Sequence, residues 1–243
     1  MRIQNRLGQV ETVETLLAHE RRMNQAANNL ANVNTAGFKR DGMTFWEMIF
    51  RSHSGRMRVG KASRVVTDHG PGALRQTGNP LDMAIDGDGF FRIQSPRGVR
   101  YSRAGQFTRS AAGELVTRDG YPVLGEGGPI ALPNGTVGVG LDGRITVDGV
   151  EVDRLAVVTF PEMAALEKDG DSLFRVKEGA PGEEAAAAPV VQQGYVEESN
   201  VNMIQETTGM IDLFRAFELQ QRVIRTIDEV DEQAIQRVGS MTV

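Results

Sequence analysis

Proline and glycine are distributed very unevenly along this chain, and their distribution restricts the fold more than any other sequence feature. Residues 1–36 and residues 199–238 contain no proline and one glycine each, Gly8 and Gly209. All nine prolines and nearly all of the 28 glycines lie elsewhere, most of them between these stretches. Because both residue types interrupt helices and favour turns, the sequence predicts a long helix at each end and a turn-rich centre.

The N-terminal stretch has the apolar spacing of a helix that packs along one side. One column of residues recurs every seven positions, and a second column runs beside it. The first column contains Ile3, Val10, Leu17, Asn24 and Ala31, flanked by Val13 and Ala27, and the second contains Leu16, Met23 and Leu30. We therefore predict an N-terminal core helix over residues 1–36.

The C-terminal stretch repeats the same pattern. Its apolar column contains Met203, Met210, Phe217 and Ile224, with Leu213, Ile227 and Ala234 beside it. Asn202, followed three residues later by Gln205, has the spacing of a capping box at a helix start. The pattern predicts a C-terminal core helix within residues 198–243. At 1.5 Å per residue, each terminal helix would be about 45–55 Å long.

The length of the two helices favours packing between chains over packing within one domain. An isolated helix is only marginally stable in water, so we expect partner chains to supply most of the order and both ends to be poorly ordered in a free monomer. The alternative is a pair of ordinary amphipathic helices that pack on their own domain. The predicted assembly contacts are Val10, Leu17, Asn24, Ala27, Asn28, Leu30, Asn32, Met203, Met210, Phe217, Ile224 and Ile227.

Asparagines crowd the end of the first helix. Asn24, Asn28 and Asn32 follow one another at four-residue spacing, although asparagine is a mediocre helix former. Amides on an interhelical face hydrogen-bond across it and fix its register. The alternative interpretation is a solvated polar face or a fraying helix end. A turn signal at residues 34–37 then predicts the end of the helix.

The centre has the pattern of an antiparallel β domain, which we place at residues 75–197. Asp-Gly or Asn-Gly pairs, a strong hairpin signal, recur at positions 86, 88, 119, 134, 142, 148 and 169. Around Asp148-Gly149, a two-residue loop predicts that Val147 pairs with Val150, Thr146 with Glu151, and Ile145 with Val152. Residues 115–124 predict a second hairpin, residues 155–160 a further strand, and residues 179–189 a mobile loop.

Residues 37–74 are predicted to form an extended linker or arm. Within them, Phe45, Trp46, Met48, Ile49 and Phe50 indicate either a short buried helix or an apolar contact patch.

Composition excludes several classes of function. The formal net charge of −5 argues against a nucleic-acid partner. The chain has no cysteine, so thiolate chemistry is excluded. No apolar run has the roughly 20 residues of a membrane span, and the first six residues contain no apolar core of a signal peptide. The acidic polar face of the last helix does not favour a membrane surface.

Catalytic and metal-binding patterns are weak, so we predict neither enzyme activity nor a cofactor or metal. His19 lies among charged residues of the first helix, and His53 and His69 lack the carboxylate spacing of a metal site. Asp82, Asp86 and Asp88 resemble a calcium loop without its closing glutamate, so hairpin turns explain them better. Two rival functions remain open: a cell-wall glycosidase with carboxylates such as Asp86 and Glu114, and an extracellular adhesin with helical stalks.

Several sequence blocks together resemble bacterial flagellar rod and hook proteins. The N-terminal block is residues 27–40, Ala-Asn-Asn-Leu-Ala-Asn-Val-Asn-Thr-Ala-Gly-Phe-Lys-Arg. Further blocks in the order of that family lie at residues 78–91, 101–108, 113–117 with 120–125, and 194–202. They span nearly the whole chain, and their combination makes the resemblance specific.

The resemblance implies a structural subunit that is exported unfolded through the flagellar type III apparatus. Its terminal helices would pair into an intermolecular coiled-coil core of a tube, with the β domain outside. The tube would be the drive shaft that crosses the periplasm, and it would transmit torque and let later subunits pass. Partners would be copies of the chain, other rod proteins and the surrounding basal-body rings. The short stretch between Phe38 and Asn79 favours a proximal rod subunit, with a distal one as the alternative.

Overall fold

A computed structural model describes the backbone at residues 2–51, 57–170 and 172–240. Side chains are described at residues 14–44, 63–170, 172–230, 232 and 233.

The chain divides into two compact units. The first contains both long helices and one hairpin, and the second contains the other strands. The first unit consists of Met1–Ala31, Asp41–Val66 and Asn202–Val243, and the second of Asn32–Arg40 and Thr67–Val201.

The first unit is built from helix α1 (Arg2–Ala31), helix α2 (Met203–Ser240) and two strands, β1 (Asp41–Arg51) and β2 (Met57–Thr67). The two helices pack against each other, and α1 also contacts β1. The two predicted helices are thus confirmed. None of the helices in the described part of the chain is long and apolar enough to cross a membrane.

Helix α1 ends earlier than the predicted boundary at residue 36. The turn that follows begins at Asn32, whose carbonyl accepts a hydrogen bond from the Thr35 amide at 3.1 Å. The Thr35 hydroxyl and the Asn32 side chain lie 3.2 Å apart. A short polar side chain competes with the helix for backbone hydrogen bonds, which explains the early end.

Helix α2 begins as predicted. The Asn202 side-chain oxygen accepts a hydrogen bond from the Gln205 amide at 3.1 Å, and its carbonyl accepts one from the Glu206 amide at 3.0 Å. Asn202 is therefore the N-cap of α2.

The stretch for which we predict an arm contains the β1–β2 hairpin. Its backbone is extended through residues 45–50, so the alternative of a short buried helix there is wrong. The alternative of an apolar contact patch concerns side chains outside the described ones and stays a prediction.

The second unit is a β domain made of short strands. The strands are β3 (Leu74–Gln76), β4 (Met83–Asp86), β5 (Phe90–Ser95), β6 (Gly98–Ser102), β7 (Phe107–Arg109), β8 (Leu115–Thr117), β9 (Leu124–Gly125), β10 (Gly128–Pro129), β11 (Val137–Val139), β12 (Arg144–Val147), β13 (Val150–Arg154), β14 (Val157–Thr159), β15 (Leu166–Lys168), β16 (Leu173–Val176), β17 (Glu184–Ala185), β18 (Val190–Gln193) and β19 (Tyr195–Glu197). The largest sheet has six strands in the order β15-β16-β6-β5-β14-β17, and the remaining strands form small antiparallel sheets. A 3₁₀ turn covers Met163–Ala165.

Two apolar clusters form the core of the β domain. The larger one contains Met83, Phe91, Ile93 and residues from most of the small sheets. The smaller one contains aromatic side chains packed edge to face, including Phe90 against Phe174 at 5.7 Å between ring centroids. Such aromatic pairs stabilise beyond the area they bury.

The hairpin at Asp148-Gly149 forms with one departure from the predicted register. Both turn residues have positive φ, 51° and 82°, as a two-residue type I′ loop requires. Val147 pairs with Val150 and Thr146 with Glu151, as predicted. Ile145, however, pairs with Asp153 rather than with Val152, because the register shifts between Ile145 and Thr146. A β-bulge of this kind adds one residue to a strand and cannot be derived from alternation alone.

The second predicted hairpin is present at its turn and at the residues beside it. The Thr117 amide donates to the Tyr121 carbonyl at 2.9 Å, Val116 bridges Pro122, and the Val123 amide donates to the Leu115 carbonyl at 2.9 Å. In addition, β8 pairs with β7 and β9 with β10. The strand predicted at residues 155–160 is present as the shorter β14.

Candidate functional site

Three charged side chains lie buried together in the β domain. Lys39 follows the turn after α1, Arg103 follows β6, and Glu197 ends β19. We call them the joint cluster. Their side chains are 0%, 4% and 1% exposed. Charged side chains are rarely buried to this degree unless they are paired.

Glu197 is the centre of the joint cluster. Its Oε1 atom accepts hydrogen bonds from the Lys39 ammonium at 2.5 Å and from the Gly72 amide at 2.9 Å. Its Oε2 atom accepts one from the Arg103 guanidinium at 3.3 Å. Its backbone carbonyl accepts one from the Gly37 amide at 2.8 Å. One residue is therefore tied to three separate segments of the chain, at residues 37–39, at Gly72 and at Arg103.

The two cations also donate to backbone carbonyls. The Lys39 ammonium donates to the Gly70 carbonyl at 2.8 Å. The Arg103 guanidinium donates to the Gly87 carbonyl at 2.7 Å and lies 5.2 Å from the centre of the Phe90 ring. These carbonyl oxygens accept hydrogen bonds from N–H groups of the two cations that the single carboxylate does not pair. A buried polar network is stable only when its donors and acceptors are paired in this way.

Burial dominates the electrostatics of both cations. It lowers the pKa of Lys39 from 10.5, although the Glu197 carboxylate acts in the opposite direction. Burial likewise lowers the pKa of Arg103 below its ordinary value, again opposed by Glu197. In both cases desolvation disfavours the charged form, so the cluster depends on its one carboxylate.

Gly37 fits against the joint cluster only because it has no side chain. Its φ is +68°, and a Cβ atom there would lie 2.2 Å from the Ala104 amide nitrogen. Gly72 is equally constrained, since its Cβ atom would lie 1.9 Å from the Glu198 carbonyl oxygen. The glycines thus allow backbone to approach backbone closely at this place.

A second set of contacts joins the segment after α1 to the segment before α2. The Arg40 amide donates to the Asn200 side chain at 2.7 Å, and that side chain donates to the Asp68 carbonyl at 2.9 Å. Lys168 reinforces the joint, because its ammonium donates to the Lys39 carbonyl at 2.5 Å and lies 4.0 Å from the centre of the Phe38 ring.

This arrangement has a mechanical rather than a chemical character. The Glu197 carboxylate accepts three hydrogen bonds, and none of the three side chains is more than 4% exposed. Among the residues that the structure describes, no three side chains are grouped so that they could hold a metal ion. What the joint cluster does is to hold residues 37–40 and 197–200 side by side, next to the points in the sequence where α1 ends and α2 begins.

Family models match three parts of the chain. Residues 12–39 match a flagella basal body rod protein model, and residues 192–237 match the C-terminal model of the flagellar basal body rod FlgEFG proteins. Residues 84–149 match the D1 domain model of the flagellar hook proteins FlgE/F/G. Lys39, Arg103 and Glu197 fall in these three separate matches.

Flagellar rod proteins from several bacteria align with this chain over nearly their full length. The flagellar basal-body rod protein FlgG of Bacillus subtilis is 35% identical over 86% of this chain and 90% of its own. FlgF of Mesorhizobium japonicum is 33% identical over 92% of this chain and 94% of its own, and FlgF of Caulobacter vibrioides is 34% identical over 91% and 93%. The chain belongs to the flagellar basal-body rod protein family.

On α1 of this rod-family chain, most predicted assembly residues are exposed. Leu17, Asn24, Ala27 and Asn28 are all exposed, whereas Leu30 is half-buried. The half-buried or buried residues include the second predicted column, Leu16, Met23 and Leu30, together with His19 and Ala26. Val10 lies outside the described side chains. Whether the exposed residues contact neighbouring chains stays a prediction.

Asn32 is half-buried and lies in the turn after α1, so it does not share a helical face with Asn24 and Asn28. The asparagine that the fold uses is instead Asn29, which is 1% exposed. Its side chain donates to the Asp41 carbonyl at 2.9 Å and accepts from the Asp41 amide at 3.0 Å. This pair of hydrogen bonds fixes the start of β1 against α1.

On α2, the predicted column is half-buried in a single rod-family chain. Met210, Phe217, Ile224 and Ile227 are half-buried, whereas Met203, at the first turn, is exposed. Because α1 is the element that packs on α2, the half-buried column is the face toward α1. Its part in contacts between chains stays a prediction.

Sequence reasoning missed the joint cluster. Lys39, Arg103 and Glu197 look like ordinary surface charges, and no spacing relates positions that are 158 residues apart. A signal was nevertheless present, since all three lie in blocks that carry the resemblance to the rod family.

Proposed function

We propose that this protein is a structural subunit of the flagellar basal-body rod, and that it assembles through its terminal helices with copies of itself and with other rod proteins. The observation that carries the proposal is that α2 is apolar on more than one side. Its half-buried column faces α1, while further large apolar side chains are exposed: Met203, Ile204, Ile211, Phe214, Leu219, Val223 and Val230.

These exposed side chains would contact the neighbouring chains, and Met203 among them is also one of the contacts predicted from the sequence. Ile204 is 77% exposed, and an exposed apolar row of this extent marks an interaction surface. Each such side chain adds roughly 1.5–3 kcal/mol when it is fully buried. We expect the contacting surfaces to differ on the two partners, which would make the association head-to-tail and let it grow into a helical tube rather than a closed pair. Asn24 and Asn28 would fix the register of the contact.

The tube would be the shaft that crosses the periplasm. It would transmit torque and would enclose the channel through which later subunits pass, and the subunit itself would be exported by the flagellar type III apparatus. Within this assignment the joint cluster has a clear use, because it holds the connections to both helices rigidly on the β domain. Rings around the basal body are further partners, and the assignment requires no enzyme activity and no cofactor.

Of the two rod types, we propose the proximal one, FlgF. Identity does not separate the two groups of relatives, but the FlgF relatives align over 91–92% of this chain and the first FlgG relative over 86%. The distal type, FlgG, is the alternative. Electron microscopy of basal bodies from a strain that lacks this protein decides between them: a shaft that stops near its base supports the proximal type, and a missing distal segment supports the other.

Substitutions in the helices test the assembly. We expect the double variant I211D/F214D to keep a folded β domain and the α1–α2 pair, yet to abolish rod assembly and swimming. We expect L30D or F217D, on the faces between α1 and α2, to abolish both as well. V150D is the matched control, since Val150 is an exposed apolar residue of the β domain. Swimming cells with intact basal bodies in the helix variants would refute the proposal.

A further inference from the structure

One loop of the β domain brings an asparagine amide together with two charged side chains that the rod assignment does not use. Asn134 and Gly135 form the only Asn-Gly pair of the sequence, and both residues are exposed in the loop before β11. The Oδ1 atom of Asn134 accepts a hydrogen bond from the guanidinium of Arg109, at the end of β7, at 2.5 Å. The carbonyl of this side-chain amide is therefore held by a cationic donor.

The backbone amide of Gly135, which follows Asn134 in the chain, has no hydrogen-bond acceptor. Among the residues that the structure describes, no backbone or side-chain oxygen accepts from it, and glycine has no side chain to cover it. The loop is nevertheless fixed one residue later. The Thr136 amide donates to Oδ1 of Asp148 at 2.8 Å, and the Thr136 carbonyl accepts from the Asp148 amide at 3.0 Å. An available nitrogen therefore lies in a held loop beside the Asn134 amide.

A carboxylate lies directly against Gly135. A Cβ atom on Gly135 would stand 2.2 Å from Oδ2 of Asp148, so this oxygen contacts the glycine backbone. A carboxylate that reaches an N–H group, directly or through one water, acts as a base toward it. Asp148 belongs to the turn between β12 and β13. The site therefore combines three separate segments of the chain, and the Asn-Gly pair by itself does not contain it.

We propose that this site converts Asn134 to aspartate or isoaspartate in the folded protein. The Gly135 nitrogen gives its proton to the Asp148 carboxylate and forms a bond to the side-chain carbon of Asn134, and Arg109 stabilises the negative charge that develops on Oδ1. The bond from that carbon to the side-chain nitrogen then breaks, and the nitrogen takes up a proton and leaves as ammonia. Water opens the resulting cyclic imide at either carbonyl, so asparagine and water become the acid and ammonia.

The modification changes the surface of the β domain. It adds one negative charge to a chain whose formal net charge is −5, and the new carboxylate lies where Arg109 already donates. The isoaspartate product also inserts an extra carbon atom into the backbone before the held residue Thr136. The site is separate from both terminal helices, so its failure would leave the rod assignment intact.

Mass spectrometry of the full-length chain measures the reaction directly. Trypsin releases residues 119–144 as one peptide, because Arg118 precedes it and Arg144 ends it, and Asn134 is the only side-chain amide in it. We expect this amide to be converted to the acid about five-fold faster in chain kept folded at neutral pH than in chain kept unfolded in concentrated urea at the same pH. A folded chain that reacts at the rate of the unfolded chain, or more slowly, would overturn the proposal.

Substitution of the two charged residues tests their roles. Arg109→Met removes the donor to Oδ1, and Asp148→Asn removes the charge but keeps an acceptor for the Thr136 amide; its new amide lies outside the tryptic peptide. We expect the initial rate in the folded state to fall about five-fold in each variant, less than at a buried site, because the loop is exposed to water. Arg75→Met, at an exposed arginine of β3, is the matched control and should leave the rate unchanged. A wild-type rate in Arg109→Met or in Asp148→Asn would also overturn the proposal.

Discussion

Replacing Glu197 by glutamine keeps its shape and removes the carboxylate that pairs with both buried cations. Lys39 and Arg103 would then remain buried, 0% and 4% exposed, with carbonyl oxygens as their main acceptors. We expect Glu197→Gln to lower the free energy of unfolding of the β domain substantially, because an uncompensated buried charge is far less favourable than a buried pair.

The expected loss can be bounded from the chemistry of Lys39. Breaking a buried pair costs about 3–5 kcal/mol. Lys39 can escape part of that loss by releasing its proton. Deprotonation at pH 7 of a group whose ordinary pKa is 10.5 costs about 5 kcal/mol, at about 1.4 kcal/mol per pH unit. Arg103 cannot escape in this way, but it keeps its carbonyl partners. We therefore expect a loss of about 3–5 kcal/mol.

Urea unfolding followed by far-ultraviolet circular dichroism, together with amide exchange in the β-domain core, measures this loss. Glu198→Gln is the matched control: its carboxylate pairs with Arg75 at 2.7 Å, but both side chains are about half exposed. Exposed pairs contribute about 0–1 kcal/mol. The triple variant K39M/R103M/E197L removes all three charges, and we expect it to be more stable than Glu197→Gln. If Glu197→Gln and Glu198→Gln lose the same stability, the reasoning about the joint cluster is wrong.

Three further predictions concern the same structure. The pKa of Lys39 is lowered in the folded state, so the folded protein releases this proton at a lower pH than the unfolded chain does. The free energy of unfolding of the wild type, relative to that of Lys39→Met, should therefore rise with pH up to about 10.5. A difference that falls over this range in paired urea titrations would contradict the shift. Gly37→Ala should lower the free energy of unfolding by about 3 kcal/mol or more, because φ is positive and the new Cβ atom would lie 2.2 Å from a backbone nitrogen. Gly120→Ala, with positive φ but open space, should lower it by only about 1 kcal/mol. Equal shifts of the melting temperature in the two variants would refute this. Asn29→Ala leaves the amide and the carbonyl of Asp41 unpaired and should lower the free energy of unfolding by about 2 kcal/mol. Asn24 is exposed, so Asn24→Ala should change it by less than about 0.5 kcal/mol. Unchanged amide exchange at Asp41 in Asn29→Ala would contradict the role of Asn29.

The sequence predicted most where a local pattern has one physical meaning. Asn202 was identified as an N-cap because its side chain acts on residues of the same turn. The loop at Asp148-Gly149 was identified because two positive φ angles in succession favour these residue types. The bulge beside that loop was not identified, because it depends on how β12 meets the rest of the sheet.

Register and pairing over long distances were beyond the sequence. The heptad pattern of α1 offered two adjacent columns, and only packing against α2 selects the one with Leu16 and Met23. Among the clustered asparagines, composition gives no reason to single out Asn29, whose role depends on the position of Asp41.

The amino-acid sequence by itself determined the two terminal helices, the turn-rich β centre and the family, because helix periodicity, turn chemistry and motif order are all local properties. The tertiary structure alone decided that Lys39, Arg103 and Glu197 form one buried cluster. Its members come from three distant segments, and whether a charge is solvated or buried depends on what the rest of the chain places around it.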